Sequence, residues 1–147
     1  MFKKINHLDA VIAGWMSRHG HLLLRISLAI IFIWFGALKP WRISPADDLI
    51  QRTVYWVDPD VFIPILGVWE VAIGVCMLWR PLLRVAILLL FLQMPGTFLP
   101  LVLLPDVCFT YFPWAPSLEG QYIIKNLVLI SAAITVGGYV RLKSTQP

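Results

Sequence analysis

The chain has 147 residues, 59% of them hydrophobic and 14% charged, with a mean hydropathy of +0.79. Soluble domains carry roughly 25% charged residues, so the composition excludes an ordinary water-soluble fold and points to one membrane domain, 1–147. The net charge is +4, but the basic residues flank apolar blocks and form no single patch, which argues against nucleic acid and assigns them to topology and lipid headgroups.

Residues 1–21, "MFKKINHLDAVIAGWMSRHGH", open on a basic pair, but Asp9 interrupts any apolar core and no small-x-small site follows, so a cleaved leader is not expected. Ile5, Leu8, Ile12, Trp15 and Met16 recur at steps of three and four, while Lys3, Lys4, Asp9 and Arg18 lie mostly off that face. The spacing predicts an amphipathic helix lying in the membrane interface. The alternative is a disordered basic tail.

Four apolar segments follow, at about 22–39, 61–79, 82–104 and 121–140. Each is near the ~20 residues that cross a bilayer, so the fold class is an all-α membrane protein, a four-transmembrane-helix bundle with that N-terminal interfacial helix. Between the first two, "PWRISPADDLIQRTVYWVDPD" predicts a short helix after Ser44-Pro45, with Ser44 as cap and Asp47 and Asp48 in the first turn. Residues 105–120 hold three prolines and four aromatics and are expected to lie over the bundle mouth.

Lys3, Lys4, Arg18, Arg25, Arg80, Arg84, Arg141 and Lys143 all fall on one side of this arrangement, against Arg42 and Arg52 on the other. The positive-inside rule then places both termini in the cytoplasm of a bacterial inner membrane.

Within the spans, "ILGVWEVAIGVCMLW" sets Glu70 about 14 Å below the outer surface at the helical rise. Gly67 and Gly74 share its face, which marks where another helix comes close. Lys125 is the favoured partner and Lys39 the second, with Asn126 near the same level. Intramembrane ionisable groups usually pair and face a bundle interior or cavity. In "LQMPGTFLP", Pro95 and Gly96 predict a kink or break, and Gln93 and Thr97, four apart, offer polar groups at the depth of Glu70. The plain alternatives are a proline kink with Gln93 bonded to a neighbouring helix, and an ion pair that only fixes helix register.

His7, His19 and His21 all precede the first span, away from where paired haem ligands would sit. No zinc spacing, CxxC, glycine-rich phosphate loop or nucleophile motif is present, so no metal, haem or nucleotide and no catalytic residue is assigned. Cys76 and Cys108 fall at opposite depths, which argues against a disulfide between them.

"LLLRISLAIIFIWFGALKP", "GVWEVAIGVCML" and "GQYIIKNLVLISAAI" resemble the first, second and fourth spans of the DoxX-like superfamily of membrane proteins, nearest its YkgB-type inner-membrane branch. The resemblance covers about residues 22–140. It implies a four-helix bundle with both termini inside, and small membrane subunits linked to quinone-dependent oxidation. Three functions stay open. In the first, an outer-facing pocket lined by Lys39, Glu70, Gln93, Thr97, Lys125 and Asn126 binds a small polar or quinone-like ligand and serves a membrane redox protein. In the second, the chain is a noncatalytic partner or assembly subunit whose buried charges are structural. In the third, Glu70 carries a proton or small solute. The lipid bilayer is the first partner, and a homo-oligomer is left open.

Overall fold

The computed structural model describes the backbone of residues 2–144 and the side chains of residues 7–139. The side chains of Lys3, Lys4, Ile5, Arg141 and Lys143 lie outside that range. Among the described residues four helices are long and apolar enough to cross a membrane: His7–Leu38, Pro59–Leu78, Arg80–Leu103 and Leu118–Tyr139.

The first helix, α1, runs unbroken from Phe2 to Leu38. The segment expected to form a separate interfacial element therefore continues into the first span without a turn. No proline intervenes, and Gly14 and Gly20 each cost a helix only about 1 kcal/mol, too little to end one. Leu38 is followed by turns, in which Arg42 adopts a left-handed backbone (φ 58°) and its guanidinium holds Asp60 at 3.4 Å and the Pro59 carbonyl at 3.1 Å.

The short helix α2 covers Asp47–Thr53. Ser44 does not cap it: Ala46 occupies that position, and the Ser44 hydroxyl accepts the Ala46 amide at 3.3 Å in the preceding turn. Helix α3, Pro59–Leu78, starts as its sequence dictates, with Asp58 Oδ1 accepting the Asp60 amide and Pro59 in the first turn. A single 3₁₀ turn, Arg80–Leu82, leads into α4, Leu83–Phe98.

The expected break at Pro95 and Gly96 does not occur, since α4 passes through both. The interruption falls at Leu99, because Pro100 has no amide to give Gly96, whose carbonyl accepts Leu99 N–H instead at 3.3 Å. Short helices α5 (Pro100–Leu103) and α6 (Pro105–Cys108) and a hairpin, β1 (Phe109–Tyr111) antiparallel to β2 (Ala115–Pro116), follow.

The fourth span is two helices, α7 (Leu118–Ile124) and α8 (Asn126–Ser144), parted at Lys125. Asn126 accounts for the parting: its side-chain amide donates to the carbonyls of Tyr122 (3.3 Å) and Ile123 (3.0 Å) at the end of α7. Such side-chain competition with the backbone favours a helix boundary.

In the bundle, α1 and α4 each pack against both α3 and α8. Helix α1 begins and α8 ends at the end that carries the Arg80–Leu82 turn, here the turn end; α2 and the hairpin lie at the loop end. The most extensive contact is α1 on α3. A Cβ on Gly67 would come within 2.6 Å of the Gly36 carbonyl, and one on Gly74 within 2.6 Å of Ile33. The helix approach inferred from Gly67 and Gly74 is thus made by α1. The apolar core fills the turn half of the bundle, where Leu28 and Phe32 meet Ile73, Met77, Leu83, Leu90 and Ala133. Outward faces remain apolar, as at Ile30, Val68, Leu88 and Val128, an arrangement suited to lipid and not to water.

Candidate functional site

The loop half of the bundle is hollow. A cavity of about 510 Å³ lies between α1, α3, α4 and the α7–α8 junction. Its cover is α2, through Leu49, Ile50 and Thr53, and none of residues 105–120 lines it. The prolines and aromatics of that loop are instead tied into their own hairpin, where Ser117 donates to the Val107 carbonyl (2.6 Å) and caps α7 through the Gly120 amide (3.1 Å).

Most of the wall is apolar, with Phe32, Phe35, Ile65 and Trp69 prominent. The polar groups converge on Glu70. Lys39 donates to its Oε2 in a buried ion pair, and Gln93 Nε2 donates to its Oε1 at 2.7 Å. Lys39 is 4% exposed and Glu70 9%. Lys39 Nζ also lies 3.5 Å from the Phe35 carbonyl, and Thr97 donates to the Gln93 backbone carbonyl at 3.3 Å.

Lys39 meets Glu70 because α1 and α3 are antiparallel. Lys39 Cβ lies opposite Gly67, one turn nearer the loop end than Glu70. Helical side chains lean toward their own N-terminus, so in an antiparallel pair the two lean toward each other. Withdrawing an ion from water costs several kcal/mol, and only close pairing with full hydrogen bonding offsets it. Both Glu70 oxygens have that.

The partner favoured from the sequence is corrected here. Lys125 is exposed, sits in the joint between α7 and α8 and is absent from the cavity wall. Lys39, Glu70, Gln93, Thr97, Gly96 and Asn126 do line one cavity. Asn126 takes no part in the Glu70 network, because its amide is spent on α7 carbonyls. Pro95 is exposed and outside the wall.

Three acceptor atoms carry weight because they have no donor among the described residues. Gln93 Oε1 is buried and accepts nothing, and so are both oxygens of Asp47 at the start of α2. A buried acceptor without a partner costs about 1–3 kcal/mol. Asp47 does not line the cavity, and the α2 cover was not legible as part of a site. The Lys39–Glu70 pair had a signal: each charge stands three residues after the glycine of the α1–α3 contact, in Gly36-x-x-Lys39 and Gly67-x-x-Glu70. The Trp69 indole, which donates to the Leu89 carbonyl at 3.3 Å and straps α3 to α4, had none.

Architecture and site together define a predominantly helical bundle, with four helices long and apolar enough to span a membrane and a charged hydrogen-bond network in a largely apolar cavity. No protein-family model matches the chain, and neither the curated proteins nor the solved structures contain a significant match.

Proposed function

We propose that this is a multi-pass bacterial inner-membrane protein of the DoxX-like, YkgB-type kind that binds a quinone-like ligand in the loop-end cavity and serves a membrane redox partner. One observation carries the reading: Gln93 Oε1, buried in a largely apolar cavity beside the Lys39–Glu70 pair, has no donor among the described residues. A hydroquinone hydroxyl supplies one. The third N–H of Lys39 is suited to an oxygen on the same ring. Pockets of about 300–1,000 Å³ with few polar groups in apolar walls are the usual small-molecule sites, and this cavity falls within that range.

The loop end faces outward in this reading, with both termini cytoplasmic, on the strength of the flanking basic residues. Exposed Leu8, Ile12, Trp15 and Met16 support an N-terminal segment whose apolar face meets lipid. Mass spectrometry of lipids retained by the purified protein tests the ligand. Hydroquinone, counted together with the quinone it yields on oxidation during extraction, should be enriched in the wild type and lost in Gln93→Leu; equal extracts from the two would refute the assignment. The reading as an assembly subunit draws on a different fact, that Glu70 already ties α1, α3 and α4 together with both oxygens satisfied.

A further inference from the structure

The way into the cavity is written in which of its lining residues also face outward. On α3, Ile65 and Trp69 line the cavity and, with Pro64, Val68 and Ala72, also form a second depression on the outer face of that helix that is almost wholly apolar. Across from them on α4, Leu92 and Gly96 line the cavity and are themselves exposed. A Cβ on Gly96 would meet nothing within 4 Å, so the α4 edge stands clear of its neighbours at this point.

The two edges are level. Ile65 and Trp69 lie six and ten residues from the loop-end start of α3, and Gly96 and Leu92 lie seven and eleven from the end of the third span at Leu103. Both intervals correspond to depths of roughly 9–17 Å at the helical rise, within a ~30 Å hydrocarbon layer. Toward the turn end the opening is closed by the Trp69–Leu89 strap, and beyond it by the Arg80–Leu82 turn that joins the two helices. Toward the loop end it is covered by α2.

We propose that the cavity is loaded from within the bilayer, through a lateral portal between α3 and α4 framed by Ile65, Trp69, Leu92 and Gly96, by an amphiphile whose head reaches Gln93 and whose tail rests in the apolar depression over Pro64, Val68 and Ala72. The proposal rests on the ligand-binding reading above and narrows it to a lipid-phase molecule. The head carries an O–H or N–H donor, because Gln93 Oε1 has none. The tail is apolar, because Ile65, Trp69 and Leu92 frame the opening and the depression beyond it is almost wholly apolar.

The test uses the full chain in nanodiscs and one probe, a hydroquinone bearing a decyl chain with a diazirine at its tip. After photolysis, adducts are mapped by peptide mass spectrometry, with unlabelled decylhydroquinone as competitor. Competable adducts should fall on residues 64–72 and on 88–92. A Cβ at position 96 meets nothing within 4 Å and leucine improves helix propensity, so Gly96→Leu is expected to fold, and it should cut those adducts roughly tenfold by filling the gap. Competable adducts on α2 or the hairpin, or adducts unchanged by Gly96→Leu, would overturn the portal and leave the cavity reading standing. Absence of any competable adduct would overturn both.

Discussion

The Lys39–Glu70 pair gives the sharpest stability experiment. Replacing Lys39 by Met keeps most of the stem that packs against α3 and removes the ammonium. Glu70 is then left 9% exposed with one hydrogen bond, from Gln93. Breaking a buried pair from one side typically costs about 3–5 kcal/mol, because the surviving charge is uncompensated. Glu70→Gln leaves the opposite orphan, an ammonium without a counter-charge that retains only neutral acceptors, the new amide oxygen and the Phe35 carbonyl at 3.5 Å, and falls in the same range. In the double variant no charge is stranded, so part of the loss returns, with a coupling of about 1–3 kcal/mol. Unfolding of the four proteins in one detergent, followed by loss of helical signal with denaturant, completes the cycle. Lys125→Met is the control and should stay within about 0.5 kcal/mol of wild type, as exposed substitutions do. Additive losses, or a Lys125→Met variant as damaged as Lys39→Met, would refute the assigned partner.

Gly67→Ala should destabilise the α1–α3 contact by about 1–3 kcal/mol, since its methyl meets the Gly36 backbone carbonyl, which cannot swing aside as a side chain can; Gly96→Ala, in open space, should be neutral or stabilising by up to about 1 kcal/mol in the same melts. Reporter fusions after Lys143 and within residues 44–58 should mark opposite sides of the membrane, as four crossings require, and a shared side would remove a span. Burial first, and then the Glu119 carboxylate, raise the Cys108 thiol above its ordinary value. Its thiolate fraction at pH 8 is therefore below that of a free cysteine, so maleimide labelling there should be slow, should speed up as pH rises, and should be faster in Glu119→Gln.

What the sequence made legible was whatever depends on local pattern over many residues. Apolar length located four spans, and the Gly67–Glu70–Gly74 face showed which side of α3 turns inward. What it missed depends on long-range register. Lys125 lies nearer Glu70 in expected depth than a lysine at a span end, but depth along the membrane normal does not say which helices are neighbours or which way side chains lean. The Gly36 and Gly67 contact decides both in favour of Lys39. Helix interruptions were misplaced for a related reason. Pro95 is the more conspicuous residue, yet a proline already within a long helix is tolerated there, whereas Pro100 ends α4 and Asn126 ends α7 through particular carbonyls that only the folded backbone brings into reach.

The division of the bundle into a packed turn half and a hollow loop half has a thermodynamic consequence. Cohesion comes mainly from side chains that touch one another around Leu28, Ile73 and Leu90, whereas the walls around Phe35 and Ile65 have few atoms opposite them to attract. A guest that fits between those walls adds contacts available only in the folded state, and by linkage it raises stability by RT ln(1 + [L]/Kd). The melting transition is therefore a direct gauge of occupancy. Candidate amphiphiles can be ranked by the shift each produces, before any reaction is known, and the cavity variant Gln93→Leu, whose turn-half core is untouched, supplies the baseline against which a specific shift is told from general lipid effects.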